Sequence, residues 1–195
     1  SPLWGRFNVE NLVVAAGILI ASGVCLNDVA AALAVCTAPA GRMEVLGGDS
    51  QPLVIVDFAH TPDALEQVLQ ALREHCAGKI WCVFGCGGDR DRGKRSEMGA
   101  VAARLADHTI LTDDNPRDEA PEQIVAEILA GFAAVAKPDV VHDRARAISK
   151  AVTSARSSDV VLIAGKGAES YQLEGSVAKP FADRDVALRA LGEVA

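Results

Sequence analysis

The stretch "PLVIVDFAHTPDALEQVLQALREHC" (52–76) decides the fold class. Its first part is a short run of β-branched residues, and its second part carries apolar residues at helical spacing. Similar pairs of a continuous apolar run and an amphipathic helix recur toward the end of the chain. Because strands that are buried on both faces read as continuous apolar runs, this alternation predicts an α/β fold. We expect a doubly wound, mostly parallel, Rossmann-like sheet with helices on both faces.

The other predicted strands and helices follow in the same alternation. Its further strands are "KIWCVFGC" (79–86), "HTILTDD" (108–114), "DVVH" (139–142) and "DVVLIAG" (159–165). Helices are predicted near 97–106, from Pro121 to about Ala136, over "DRARAISKAVTSARS" (143–157) and near 184–194.

Residues 1–36 do not fit this alternation. They contain two mostly apolar helical stretches with no strand between them, and we interpret them as a short helical tail of a preceding domain. Residues 37–50 are then a linker, and 51–195 form the α/β domain. The apolar run 12–26 is shorter than the roughly 20 residues that span a bilayer, so it predicts a buried helix.

Composition argues against several classes of partner. The 195 residues are 50% hydrophobic and carry a net charge of −7, which disfavours both nucleic acid and an anionic membrane surface as partners. The five cysteines form no Cys-x-x-Cys pair and lie in or beside apolar segments. They favour buried, reduced thiols in a cytosolic protein over a disulfide framework or a zinc site.

Unusual polar groups stand at four predicted strand ends. They are Asp57 with His60, then Arg90, then the residues from Asp113 to Arg117, and finally those from Gly165 to Glu169. In doubly wound sheets, ligands bind beyond the carboxyl ends of the strands. The sequence therefore predicts one site at this edge of the sheet.

Each of these motifs also has a plainer interpretation. "LTDDNPRDEAP" (111–121) is either a capping turn or a ligand-binding turn. "GCGGDRDRGKR" (85–95) is either a solvated charged turn or an anion-binding loop whose glycines let backbone N–H groups approach the anion. "AGKGAESYQ" (164–172) is not a phosphate loop, because Lys166 is followed by Gly, and it is either a glycine-rich turn or part of the site.

These motifs, in this order, resemble the C-terminal part of the Mur ligases. The resemblance runs over essentially the whole chain and includes "GRFNVENLVVAAG", "AGRMEV", "HDRARAI" and "FADRDVA". It implies ATP-dependent amide synthesis on UDP-MurNAc-L-Ala-D-Glu, with ATP and Mg²⁺ held mainly by a central domain and the UDP sugar bound through other domains. In this family D-N-P-R is the signature of members that add meso-diaminopimelate.

The resemblance also implies residue roles, with no catalytic residue and no metal ligand in this chain, which alone is expected to be inactive. Arg117 would hold the second carboxylate of meso-diaminopimelate, Asn115 would donate to the same group, and Asp114 would orient the arginine or accept from the ligand. Pro116 would limit the flexibility of the turn. Further contacts are expected from Arg90 to another carboxylate, and from Gly165 and Glu169 to the amino-acid head, with Glu169 taking an ammonium.

Contacts to ATP are expected from Arg42, Asp57 and His60. The chain departs from the family pattern at Ala168, where G-K-G-H-E has a histidine, and at Phe58, where D-Y-A-H has a tyrosine. The missing histidine is expected to loosen the loop around Glu169.

Three hypotheses remain open at this point. The chain is part of a diaminopimelate-adding ligase, or of a related ligase, either lysine-adding or similar to folylpolyglutamate synthetase, or it is a non-catalytic binding module. The related ligases should lack D-N-P-R, and an upstream phosphate loop would argue against the binding module.

Overall fold

A mixed, six-stranded sheet forms the centre of the molecule. The computed structural model describes residues 2–132 and 137–192. The sheet contains β1 (Glu44–Gly47), β2 (Leu53–Asp57), β3 (Ile80–Phe84), β4 (His108–Leu111), β5 (Asp139–Val140) and β6 (Val160–Ala164). In space their order is β1-β2-β6-β3-β4-β5, and all neighbouring pairs are parallel except β1 with β2.

Seven α-helices surround or precede the sheet in the described ranges. They are α1 (Arg6–Ala21), α2 (Leu26–Ala34), α3 (Pro62–His75), α4 (Gly93–Leu105), α5 (Pro121–Leu129), α6 (Arg144–Ser154) and α7 (Asp183–Leu191), with a short 3₁₀ helix at Ala130–Phe132. Helix α3 shows why they start where they do. The Thr61 hydroxyl accepts a hydrogen bond from Ala64 N at 3.3 Å, and Pro62 occupies the first turn, where its missing N–H costs nothing.

The two faces of the sheet bury separate cores, which confirms the doubly wound fold. On one face Ile55, Phe84 and Leu162 pack with α3, α4 and α5. On the other face their alternate neighbours, such as Val83 and Ile163, pack with α6 and α7. Since successive strand residues point to opposite faces, a continuous apolar run satisfies both cores.

Element boundaries differ from the sequence predictions in a consistent way. The strands end before their polar tails, so that residues 112–114 are a loop and not the end of β4. Helix α4 begins at Gly93 instead of 97, because Asp91 Oδ1 accepts a hydrogen bond from Gly93 N at 2.8 Å. Helix α5 ends at Leu129, and the predicted continuation to Ala136 lies outside the described residues beyond Phe132, as do the last residues of the predicted 184–194 helix.

Three strands were missed. β1 lies inside the predicted linker 37–50, and β7 (Tyr171–Glu174) pairs with β8 (Val177–Pro180) in a separate antiparallel hairpin. All three are four residues long, and β8 is exposed throughout, so none has a recognisable apolar pattern. The signal that was available is the two-residue Gly175–Ser176 connection between "YQLE" and "VAKP".

The prediction that 12–26 forms a buried helix is wrong. Helix α1 buries none of its residues, and Val13 and Ile18 are 65% and 62% exposed. The reason is that the helix is apolar on every side from Leu12 onward, while in the described residues its main packing partner is α2. No helix of the described part of the chain is long and apolar enough to cross a membrane.

Not all of the cysteines are buried as predicted. Cys82 and Cys86 are buried, and burial raises the pKa of each to about 12. Cys25 is exposed because it immediately precedes α2 at the periphery of the molecule.

Candidate functional site: two adjoining pockets at the strand ends

The carboxyl ends of four adjacent strands meet at one edge of the sheet. β2, β6, β3 and β4 are consecutive in space, and their following loops begin at Phe58, Gly165, Gly85 and Thr112. The convergence predicted from the sequence is therefore present. Two pockets open along this edge.

The first, which we call the polar pocket, has a volume of about 420 Å³. Its wall contains six of the seven residues predicted to bind substrate: Arg90, Asp114, Asn115, Arg117, Gly165 and Glu169. Lys94 and Asp91 also line it, so cationic and anionic side chains stand side by side. Such a pocket suits a small ligand that carries both ammonium and carboxylate groups.

Pro116, the seventh predicted residue, does not line the polar pocket. It is buried beneath the neighbouring loop, where a Cβ added to Gly88 would lie 1.8 Å from its carbonyl oxygen. Its place in the structure therefore fits the expected stiffening of the turn, through packing against Gly88.

The D-N-P-R turn is fixed from two sides. Gly88 N donates to Asn115 O at 2.9 Å, and Arg117 Nη1 donates back to Gly88 O at 2.8 Å. On the opposite side Arg117 N donates to Leu173 O at 3.2 Å, which joins the turn to the β7–β8 hairpin. Arg117 adopts a φ of 52°, a left-handed conformation that non-glycine residues take only when their surroundings impose it.

The expected contact between Asp114 and Arg117 is not formed. The Asp114 carboxylate instead lies under Gly165, where a Cβ would come within 2.6 Å of its Oδ2. Burial raises the pKa of Asp114 above its usual value, while the charges of Arg144 and Lys166 oppose this effect. Gly165 is therefore required by its φ of 115° and by the close approach of Asp114, whether or not it contacts a ligand.

The glycines of "GCGGDRDRGKR" serve packing. Cβ atoms at Gly85 and Gly88 would lie 2.0 and 1.8 Å from the Thr112 and Pro116 carbonyl oxygens. These two glycines thus permit close loop-to-loop contact. Gly85 and Gly87 also line the polar pocket, and the hypothesis that the loop binds an anion stays a prediction.

The basic residues of the same loop divide into two groups. Arg95 is fully buried and pairs bidentately with Glu119 at 2.8 and 2.9 Å, so it supports the loop from below. Arg92 pairs with Glu127. Arg90 and Lys94 line the polar pocket, and Lys94 Nζ donates to His60 O at 2.8 Å.

Glu169 is held by two donors, Asn115 and Lys166, of which the sequence had assigned only Asn115 to the site. Its Oε2 accepts from Lys166 Nζ at 2.9 Å and from Asn115 Nδ2 at 3.0 Å. Burial alone would raise the pKa of Glu169, but these hydrogen bonds outweigh it and hold the pKa below its usual value. The carboxylate is therefore ionised and oriented without the family histidine, and Ala168 is exposed.

The second pocket, which we call the apolar pocket, has a volume of about 410 Å³. All three predicted ATP contacts line it: Arg42, Asp57 and His60. Phe58, Asn8 and Asn11 line it as well, which gives it an aromatic face and two side-chain amides. The Arg42 guanidinium lies 4.4 Å from the centre of the Phe58 ring.

Asp57 shapes this pocket. Its Oδ2 accepts from Met43 N at 2.7 Å and its Oδ1 from Ala59 N at 2.8 Å, so it ties the segment before β1 to the loop after β2. Burial raises the pKa of Asp57, and the two backbone hydrogen bonds and Arg42 oppose the shift.

The two pockets share a wall. Phe58 and His60 line both, and their rings meet edge to face with centroids 4.6 Å apart. A ligand in one pocket is therefore one side chain away from a ligand in the other. In the described part of the chain, no three His, Cys, Asp or Glu residues lie close enough together to hold a metal ion.

The fold and the two pockets define a doubly wound α/β domain that is suited to binding small ligands at the carboxyl ends of its strands. Comparisons with known proteins identify the family of this domain. Residues 41–167 match a sequence model described as "Mur ligase, glutamate ligase domain". The chain belongs to the Mur ligase family.

Two curated relatives carry the same name, UDP-N-acetylmuramoyl-L-alanyl-D-glutamate–2,6-diaminopimelate ligase. The chain is 53% identical to the one from Pseudomonas aeruginosa and 54% identical to the one from Xylella fastidiosa, in each case over 98% of its own length. It spans 39% of the length of each relative.

The chain is also similar in structure to solved structures of such ligases. A structure of a ligase with the same name superposes with a TM-score of 0.77 at 44% identity, over 98% of this chain and 39% of that one. A folylpolyglutamate synthase from Thermotoga maritima shares the fold, with a TM-score of 0.61 at 22% identity over 83% of this chain and 36% of that one.

Proposed function

We propose that the chain is the C-terminal part of an ATP-dependent amide ligase that adds meso-diaminopimelate to UDP-MurNAc-L-Ala-D-Glu during peptidoglycan precursor synthesis. The observation that carries the proposal is the composition of the polar pocket. It is lined by the basic residues Arg90 and Arg117 and by the acidic residues Glu169 and Asp114. The names of the relatives support the same reaction.

The ligand chemistry fits this arrangement. Meso-diaminopimelate has an ammonium and a carboxylate at each end, whereas lysine has no carboxylate at its far end. Arg117 is oriented by Gly88 O and presents a planar guanidinium, which matches a carboxylate. We assign Arg90 to the other carboxylate and Glu169 to an ammonium.

The wall shared by the two pockets suits a reaction in which ATP and the amine substrate are bound side by side. ATP supplies the phosphoryl group that activates the γ-carboxyl of the D-Glu residue as an acyl phosphate. The unprotonated amine of meso-diaminopimelate then forms the C–N bond, the C–O bond to phosphate breaks, and the amine loses a proton. The polar pocket holds that amine in place, which lowers the entropic part of the barrier.

The apolar pocket fits a nucleotide. Phe58 offers a ring face to a base, and Asn8 and Asn11 offer amide donors and acceptors. Arg42 N donates to Pro39 O, but the Arg42 guanidinium makes no hydrogen bond or ion pair within the described residues, so its charge is available to a phosphate or ribose. Asp57 and His60 complete the wall. We place Mg²⁺ mainly in the remainder of the ligase.

The remaining assignments concern the domain to which residues 1–36 belong and the cellular compartment of the reaction. We propose that residues 1–36 belong to the central domain, since α1 exposes its apolar side chains and the family match starts at residue 41. We place the reaction in the cytoplasm, a reducing compartment that suits the buried thiols of Cys82 and Cys86.

Steady-state kinetics of the complete ligase with three alternative amine substrates test the proposal. Lysine leaves the guanidinium of Arg117 without a carboxylate, and a charge-assisted hydrogen bond is worth roughly 1.5–3 kcal/mol. Two such bonds predict that kcat/KM for meso-diaminopimelate exceeds that for L-lysine by on the order of a hundredfold or more. Equal or better use of L-lysine or L-glutamate would assign the chain to one of the related ligases. Binding without turnover of any amine would indicate a non-catalytic module.

A further inference from the structure

Lys166 is the one fully buried lysine of the described residues, and no ligand-binding role follows from its position in the sequence. It has no exposed surface, and its ammonium lies at the junction of the loops that follow β4 and β6. Its Nζ donates to Asn115 Oδ1 at 3.0 Å and to Glu169 Oε2 at 2.9 Å. The Tyr171 ring lies beside it, with its centre 5.7 Å from Nζ. Burying an ammonium is costly unless its hydrogen bonds are satisfied, so these partners are needed to keep it there.

The first consequence concerns the Glu169 carboxylate. Oε2 accepts both hydrogen bonds, from Lys166 and from Asn115, while Oε1 accepts none within the described residues. The side chain is partly exposed and lines the polar pocket. The hydrogen bond from Lys166 thus helps to hold Oε2 toward the protein and leaves Oε1 for a ligand.

The second consequence concerns the Asn115 amide. Its Oδ1 accepts from Lys166 Nζ and from Leu173 N at 2.9 Å, so Oδ1 cannot exchange places with Nδ2 without leaving two donors unpaired. Nδ2 is thereby directed to Glu169, with its second hydrogen still to be used. Lys166 therefore contacts and helps to orient both polar side chains, together with Leu173 N at Asn115.

We propose that Lys166 is a positioning residue of the polar pocket, which sets Glu169 to accept the ammonium and Asn115 to donate to a carboxylate of an amino-acid ligand. It acts through these two side chains and does not touch the ligand. The inference rests on the function proposed above. It also explains how the loop operates with Ala168 in place of histidine, because Lys166 and Asn115 already hold Glu169.

The test compares two Michaelis constants in the complete ligase. Lys166→Met keeps the long apolar stem and removes the ammonium. We expect the KM for meso-diaminopimelate to rise by roughly tenfold or more, the effect of losing a charge-assisted hydrogen bond, and the KM for ATP to stay within about twofold. Lys150→Met is the matched control, because Lys150 forms an exposed ion pair with Asp139 on the far edge of the sheet, and it should change neither constant.

A double-mutant cycle with Glu169→Gln shows whether Lys166 acts through Glu169. If it does, the two effects on the KM for meso-diaminopimelate do not multiply, because each single change already removes the same oriented carboxylate. Should Lys166→Met fail to fold, Lys166→Gln retains one donor and should still raise the same KM selectively.

Three results would overturn the inference. An unchanged KM for meso-diaminopimelate would exclude positioning. A parallel rise of both Michaelis constants together with a lower melting temperature would reduce Lys166 to a structural role. A wild-type ligase that does not use meso-diaminopimelate at all would reject the proposed function itself, and the inference with it.

Discussion

At the scale of single residues, we propose that Arg117 carries the specificity of the polar pocket. Its backbone is held in a left-handed conformation, and its Nη1 is anchored to Gly88 O, so the guanidinium is oriented before any ligand arrives. An oriented donor loses little conformational entropy when it binds, which makes selectivity sensitive to its geometry.

Arg117→Lys should therefore damage selectivity although it keeps the charge. A lysine cannot bind Gly88 O and also present two parallel donors to a carboxylate. In the complete ligase, the ratio of kcat/KM for meso-diaminopimelate over L-lysine should fall by on the order of a hundredfold. Arg184→Lys, at an exposed arginine paired with Glu44, serves as the control. A normal ratio in Arg117→Lys would show that the assignment of this arginine is wrong.

Gly88→Ala should destabilise the fold, because the new Cβ would collide with the Pro116 carbonyl oxygen. Overpacking of this kind costs about 1–3 kcal/mol. Gly17→Ala is the comparison, since Gly17 lies in α1 with no atom near its added Cβ, and it should stabilise by up to about 1 kcal/mol. Urea unfolding measures both. A Gly88→Ala variant as stable as the wild type would mean that the two loops are not in close contact.

At the scale of elements, a buried arginine connects the loops beneath the pocket. Arg95 of α4 pairs with Glu119 before α5 and with Glu127 on α5, and Glu119 Oε1 also accepts from Asp89 N. The hydrogen bonds from Arg95, and then that from Asp89 N, lower the pKa of Glu119 to about 2 from its ordinary 4.5.

The pH dependence of stability follows from this shift. A carboxyl group with a lowered pKa in the folded state stabilises fully above its ordinary pKa, and the contribution is lost as the pH falls from 4.5 toward 2. In Glu119→Gln the melting temperature should therefore fall less over this window than in the wild type, at low ionic strength. Glu97→Gln, at an exposed glutamate with no ion pair in the described residues, should follow the wild type. Identical pH profiles for Glu119→Gln and the wild type would contradict the role of this cluster.

The elements that periodicity could predict are those with long apolar patterns. Strands β2, β3 and β6 and helix α3 were anticipated because burial on both faces or on one helical face leaves a repeating signal. The β7–β8 hairpin has no such signal, yet it fixes the D-N-P-R turn through Leu173. Its role depends on contacts between residues nearly 60 positions apart, which local pattern does not encode.

The same limit applies to individual site residues. Six predicted substrate-binding positions line the polar pocket because their motifs stand at strand ends, where the topology of the fold brings them together. Lys166 could not be assigned, since its burial arises from the meeting of two loops that are 51 positions apart. The packing role of the glycines at 85 and 88 could not be predicted for the same reason, because the carbonyl oxygens that exclude a side chain come from a different loop.

At the scale of the whole molecule, we propose that the chain provides only one part of the ligase active site. Its two pockets adjoin at Phe58 and His60, but its sequence contains no G-x-x-x-x-G-K-[ST] loop to hold the phosphates of ATP. We therefore expect that the purified chain, supplied with ATP, Mg²⁺ and both substrates, releases no phosphate above the buffer rate and forms no amide. The complete ligase is the positive control. Turnover by the chain alone would place the phosphoryl-transfer machinery within these 195 residues.

The central claim is that the polar pocket binds meso-diaminopimelate by both of its charged ends. Calorimetric titration of this chain with meso-diaminopimelate and, separately, with L-lysine tests it most directly. The two hydrogen bonds that lysine cannot make predict tighter binding of meso-diaminopimelate by on the order of a hundredfold or more. Equal affinities, tighter binding of lysine, or no binding of either amino acid would contradict the account.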